Sequence, residues 1–258
     1  MTAESPTAAR GSETTDETHV TARTAELSTN LASLTARIDA ACRAVGREVG
    51  SVRLLPVTKF HPASDIEILY GLGCREFGES REQEATAKVA QLGHLSHVCW
   101  EFIGRLQRNK VKHVARWANT VNSVDSDRLA GALDAAVGAA LEAEERTTPM
   151  RVLLQVSLDG DTTRGGVVSD DLPALADYVE SSASLQLGGL MAIPPLGADP
   201  DREFARLAQL HTRLLTAHPQ ASELSAGMSS DLEAAVRHGS TCVRVGTALM
   251  GERPITSA

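Results

Sequence analysis

From about Thr24 to Arg47, apolar residues return at three- and four-residue steps (Leu27, Leu31, Leu34, Ile38 and then Cys42 or Val45) with polar residues between them. That spacing lays one apolar stripe along a helix. Upstream, residues 1–23 hold Val20 as their single Val, Leu, Ile or aromatic residue. Such a stretch cannot bury enough apolar surface to offset its ordering entropy, so a disordered tail is expected there. Downstream the period changes. Short apolar runs at 54–59, 74–79, 99–104, 120–124, 151–157, 185–193, 224–227 and 242–250 alternate with helical patterns at 62–72, 80–92, 105–117, 125–145, 170–182, 201–217 and 231–238. Eight strands alternating with helices predict a parallel sheet closed as a (β/α)8 TIM barrel in one domain, residues 24–258. The leading helix would cover the place where an eighth helix is missing. A doubly wound open sheet is the competing arrangement.

The first strand ends on a lysine. Along 54–59 the side chains alternate, so Leu55, Val57 and Lys59 share one face and Leu54, Pro56 and Thr58 the other. One amine is thereby delivered to the C-terminal end of a barrel strand, where such folds carry their active loops. Held partly out of water, an ammonium loses favour to the neutral amine, the form that condenses with an aldehyde. The plain alternative is an exposed strand-end lysine, the common state of this residue.

Other strand ends are polar and glycine-bearing. Ser230-Asp231-Leu232-Glu233 has the spacing of a capping box, and Gly227 ahead of it allows close backbone approach. With Ser229, and with Gly246 and Thr247 after the eighth strand, this predicts an anion site where barrels commonly bind phosphate; an ordinary helix cap is the alternative. Arg244 shares a strand face with Cys242 and Gly246. On an inward face it needs a partner, either a carboxylate such as Glu79 or a ring nitrogen of a ligand, which would accept a hydrogen bond from the protonated guanidinium.

Net charge is −8, which gives no field for nucleic acid or an anionic membrane. The basic run from Arg105 to Arg116 reads as a solvated face, since it lacks interleaved aromatic residues; a small anion site or an RNA patch is the alternative. Four well-separated cysteines without a C-x-x-C pair suggest thiols in a reducing compartment, and neither a spanning apolar run nor a signal-peptide pattern is present, so a cytoplasmic protein is expected. His94, His97 and Cys99 lack a fourth ligand, so no metal is expected. No long exposed apolar stripe stands out, which favours a monomer.

Taken together, Val57-Thr58-Lys59, Phe77-Gly78-Glu79, Phe102-Ile103-Gly104 with Leu106-Gln107 and Asn109-Lys110, Gly189-Leu190-Met191-Ala192-Ile193, Gly227-Met228-Ser229 and Val243-Arg244-Val245-Gly246-Thr247 resemble the pyridoxal-phosphate homeostasis proteins. These are single-domain relatives of the alanine racemase barrel. The resemblance runs from about Leu54 to Gly251. It implies a (β/α)8 barrel holding pyridoxal 5'-phosphate (PLP) as a Schiff base on Lys59. It also implies Ser229, Gly246 and Thr247 at the phosphate, Arg244 at the pyridine nitrogen and Met191 among the cofactor contacts. The implied role is a supplier of the cofactor that balances vitamin B6 and amino-acid pools, with PLP-dependent apo-enzymes as recipients and without turnover of its own; an amino-acid racemase is the alternative. A two-base racemase needs a second acid/base, and Tyr70 and Tyr178, the chain's two tyrosines, fall in helices away from the strand tops. His61 is a substitute candidate. Three positions depart from the family pattern: Ser80 in place of Asn, Glu101 in place of His and Ala226 in place of Leu.

Overall fold

The structure is a computed structural model that describes residues 10–252. Helix α1 (Arg10–Ala44) leads into a strict alternation: β1 (Arg53–Pro56), α2 (Ala63–Gly71), β2 (Glu76–Glu79), α3 (Glu82–Gln91), β3 (Cys99–Phe102), α4 (Val111–Trp117), β4 (Thr120–Val124) and α5 (Asp127–Glu142). It continues with β5 (Met150–Val156), α6 (Leu172–Glu180), β6 (Leu185–Ala192), α7 (Pro200–Ala217), β7 (Glu223–Ser225), α8 (Leu232–Arg237), β8 (Cys242–Val245) and α9 (Thr247–Met250). The parallel strands pair in the order β1-β8-β7-β6-β5-β4-β3-β2. The two ends of that order meet at a single bridge, Val57 to Gly78. The sheet therefore closes into a barrel, and the open doubly wound alternative is excluded.

Register sorts the side chains into an outer core and an interior. Outward strand residues such as Val121, Val152, Leu154 and Leu190 meet helix residues such as Leu207 of α7 in the apolar layer between strands and helices. Arg53 lies beside Cys242, and Leu55 beside Arg244, so all four share the interior face. The N-terminal layer of that interior is ionic. Arg53 donates to Glu76 (2.7 Å), Glu101 (2.6 Å) and Glu223, Arg151 lies 3.0 Å from Glu223, and Asn122 donates to Glu101 (2.8 Å). Glu101, one of the three departures noted in the sequence, is thus a member of this cluster. Ala226, another departure, is buried in a tight seam where the Ser240 hydroxyl lies 2.8 Å from its carbonyl.

Several sequence expectations are corrected. Helix α1 extends back to Arg10, so residues 10–23 are helical where a tail was expected; the expectation for residues 1–9 lies outside the described residues. The docked part begins at Arg23, which donates to Asp65 (2.7 Å) and to the Met250 carbonyl (2.9 Å). Leu27, Leu34 and Ile38 then pack with Val236, Leu249 and Met250, so α1 does fill the place of an outer helix beside α8 and α9. The eighth strand stops at Val245, and 247–250 coil into α9: a short apolar run does not by itself distinguish strand from helix. The helix expected over 105–117 starts only at Val111, after a 3₁₀ turn at Arg108–Lys110.

Candidate functional site

The C-terminal ends of β6, β7, β8 and β1, neighbours in the barrel, carry the expected site residues. On β6, Met191 is buried and pairs in register with Ser225 of β7. Arg244, 4% exposed in β8, donates to the Ser225 hydroxyl (2.8 Å) and to the Ala192 carbonyl (2.9 Å). The first bond spans the β7–β8 seam, where one register pair joins the strands, and the second reaches past β7 to the end of β6. Burial lowers the guanidinium's pKa from its ordinary value, yet an arginine remains the protonated donor. Burial likewise pushes the neighbouring Cys242 thiol up to about 12, so it stays neutral. Ser225, which aims Arg244, is a residue the sequence reading left without a role; its inward register on a strand top was the available signal.

Glu79 is not the partner of Arg244. Gly78 faces Leu55, where an added Cβ would stand 3.3 Å from the leucine side chain, so Glu79 points to the other side of β2, toward α3. There it is fully buried. Its carboxylate accepts from Thr58 Oγ1 (2.7 Å) and Lys88 Nζ (2.8 Å); burial raises its pKa against the pull of Lys88 and Thr58.

The same network fixes the segment that carries Lys59. Thr58 N donates to the Gly78 carbonyl (3.0 Å), and Lys88 Nζ donates to the Thr58 carbonyl (2.8 Å) and to Glu84 (2.7 Å). Phe60 N donates to Glu84 Oε1 (2.6 Å). Phe60 itself has φ +69°, a left-handed conformation that costs an aromatic residue free energy and persists only where the surroundings impose it. Both neighbours of Lys59 are therefore held through polar bonds to α3, and Lys59 stands half-buried in the turn that follows β1, where the strand expected through residue 59 has already ended at Pro56.

Beside it lies the expected anion site. Val57 N donates to the Val245 carbonyl (2.9 Å), and a Cβ on Gly246 would stand 3.6 Å from Val57. The start of α9 is thereby set against the end of β1. The Ser229 hydroxyl lies 3.4 Å from Ala248 N, at the first turn of α9, where backbone N–H groups lack intrahelical acceptors. Thr247 is exposed at the same turn. Gly227 has φ +94°, and an added Cβ would meet Ala235 at 2.5 Å, so glycine alone permits this turn. The capping box is not formed. Asp231 takes the N-cap position of α8 and accepts from Met228 N (2.6 Å), while Glu233 pairs with Arg37 of α1 (2.9 Å). Arg37 also donates to the Ser229 carbonyl (3.1 Å), and Asn30 to that of Leu249 (2.9 Å), so α1 braces both loops of this site from behind.

Ser80 and Gly104 meet at the tops of β2 and β3: a Cβ at Gly104 would lie 2.3 Å from the Ser80 carbonyl oxygen. His61 is buried with Nδ1 3.6 Å from Asp65. Tyr70 bonds the Ser96 carbonyl (3.1 Å), and Tyr178 is exposed on α6. His94 lies 3.2 Å from Glu67, and the described residues contain no cluster of three or more metal-ligating side chains.

An alternating parallel barrel with a lysine just after its first strand, and a buried arginine and a glycine-bearing helix turn at the end of the adjoining β8, is of the alanine-racemase type. The chain matches the family model of the alanine racemase N-terminal domain over residues 29–254. The alanine racemase of Corynebacterium glutamicum shares the fold at TM-score 0.64 and 14% identity, over 91% of this chain and 62% of the enzyme. Within that class the chain belongs to the pyridoxal phosphate homeostasis protein family. It is 54% identical to the pyridoxal phosphate homeostasis protein of Mycobacterium bovis over 91% of this chain and 96% of the relative. PipY of Synechococcus elongatus, a structure with PLP bound, matches at TM-score 0.75 and 36% identity, over 87% of this chain and all of PipY (100%).

Proposed function

We propose that this chain binds PLP, with Lys59 as the amine that joins its aldehyde as a Schiff base. In this reading Arg244 donates to the ring nitrogen, Met191 lines the ring pocket, and Ser229, Gly246 and Thr247 hold the phosphate. The donor set suits the group: a lysine for the aldehyde, a buried guanidinium with two of its donors spent on protein acceptors, and a helix turn with a hydroxyl for the phosphate. The observation that carries the reading is the rigid mount of Thr58 and Phe60 on either side of Lys59, one strand from Arg244 and Gly246. The presence of PLP in the PipY structure supports it.

The role we infer is intracellular PLP and amino-acid homeostasis, with apo-enzymes as recipients and no turnover by this chain. When bound, the cofactor offers an electron sink, but a ring nitrogen facing Arg244 accepts a hydrogen bond rather than a proton, which makes that sink weak. A two-base reaction also needs an acid/base opposite the lysine. Tyr70 and Tyr178 stand on outer helices, and His61 is turned to Asp65. Free thiols at all four cysteines suit a cytoplasmic, reducing setting. No helix among the described residues is long and apolar enough to cross a membrane. The exposed large apolar residues among those described are Val20 on α1, Val45 and Val49 in the α1–β1 connection, Tyr178 on α6, and Ile193 and Leu196 in the β6–α7 connection; they form no single continuous stripe, which fits a monomer.

Two assays on PLP-loaded protein test the role. Transfer of the cofactor to an apo-enzyme, with no exchange of amino-acid α-protons into deuterated water, is the expected outcome. Sustained α-proton exchange that is lost in Lys59→Ala would replace the carrier reading with the racemase one.

A further inference from the structure

On the β3–β4 side of the barrel, away from the Lys59 site, β4 breaks register between Val121 and Val124. Such a break re-aims the side chains within it. Ser123 lies there. It is 2% exposed, and its hydroxyl has no hydrogen-bond partner, although a buried hydroxyl ordinarily finds one. Ser123 is also one of the residues lining a cavity of about 200 Å³ whose other walls include Arg105 and Arg108, from the β3–α4 connection, and Ser126 and Arg128, from the head of α5. Ser126 occupies the N-cap position of this 16-residue helix but makes no side-chain cap bond. Its hydroxyl turns instead toward Asp125 Oδ1 (3.3 Å).

Charge favours an anion in this cavity. Three guanidinium groups and one carboxylate, Asp125, line it, in a chain of net charge −8. Arg105 donates to the Thr163 carbonyl (3.1 Å), and among the described residues none of the three arginines pairs with a carboxylate. Asp125 also accepts from Gly166 N (3.3 Å), which ties down part of its charge. Guanidinium forks match the oxygens of phosphate and carboxylate, and the start of α5 adds a favourable dipole; of its N–H groups, that of Arg128 is spent on Asp127 Oδ1 (2.7 Å) and those of Leu129 and Ala130 on the Ser126 carbonyl. We infer that this cavity binds a small oxyanion group, phosphate or carboxylate, with Ser123 donating from its floor and Arg108 and Arg128 closing on it from the rim. This inference does not depend on cofactor binding at Lys59.

The test is a residue-resolved amide chemical-shift titration of the full chain, with inorganic phosphate and separately with acetate, at constant ionic strength. Saturable shifts at 123–128 and 105–108 are expected with at least one anion, and the anion that acts identifies the oxyanion. The double variant R108A/R128A should weaken binding about tenfold or more and Ser123→Ala about threefold, with any response at 246–248 unaltered. Ser123→Ala loses no protein hydrogen bond, so its thermal midpoint should be unchanged or higher, which separates lost binding from lost folding. Shifts that grow without saturating, or the same midpoint in R108A/R128A as in the parent chain, would overturn the site. Those outcomes leave the Lys59 reading untouched, because the anion site beside Lys59 reports through the amides of 229 and 246–248.

Discussion

Lys88 governs how firmly Lys59 is presented. At 6% exposure its ammonium is spent on the Thr58 carbonyl and on Glu79 and Glu84. Nothing in the sequence singled it out: Glu84 and Lys88 are four apart, the spacing of an ordinary surface pair on a helix. The left-handed backbone of Phe60 was equally hidden, since an aromatic residue gives no sign of positive φ. Lys59 and Arg244 were legible because each is an ionisable residue inside an apolar strand pattern; the partners of Glu79 were not, because they depend on which face of β2 turns toward α3. Replacing Lys88 by Met leaves Glu79 buried without its cation, and denaturant unfolding should show a loss of about 3 kcal/mol or more. The milder Glu84→Ala, which frees Phe60 N, should cost about 1–2 kcal/mol and weaken PLP binding measured by absorbance titration. Unchanged affinity in Glu84→Ala would mean that the Phe60 anchor does not matter to the site.

Among elements, α1 has the role least expected from its sequence. Its apolar stripe was plain, but the polar contacts from Arg23, Asn30 and Arg37 reach residues some 40 to 230 positions away, and no local pattern encodes them. The Arg23–Asp65 contact gives this docking a pH signature. Burial raises the Asp65 carboxyl, but the bonds to His61 and Arg23 outweigh it and hold its pKa below the ordinary value. A depressed folded-state pKa adds stability that is complete above the unfolded value of about 4 and is lost as pH falls through the folded value. Asp65→Asn should therefore be about 1.5–3 kcal/mol less stable than the parent at pH 7, with the gap closing as pH falls below the ordinary carboxylate range. A gap that stays constant from neutral to acid pH would show that the carboxylate charge contributes nothing to the docking.

At the scale of the whole molecule, the barrel interior is divided into two layers. The C-terminal layer holds Met191, Ser225 and Arg244, and the N-terminal layer is filled by the ion cluster around Arg53 rather than by apolar side chains. The strand order was readable from the alternation of periods, and the position proposed for the site rests on the rule that barrels act at strand C-termini. The ionic layer was not readable, because Arg53, Glu101, Arg151 and Glu223 come from four strands and meet only after closure. Arg53→Met would leave Glu76, Glu101 and Glu223 facing one another, with an expected loss of about 3–5 kcal/mol and a steep fall in stability as pH rises through the carboxylate range. Unaltered unfolding would mean that the cluster is solvated in solution.

The central claim is that Lys59 is the cofactor's anchor, and the most direct measurement is borohydride reduction of the PLP-loaded chain followed by peptide mass mapping. The account predicts a yellow protein that bleaches on reduction, with the pyridoxyl mass on the peptide containing Lys59 and none in Lys59→Ala. A reduced adduct on another lysine, or a chain that never takes up the chromophore, would contradict it.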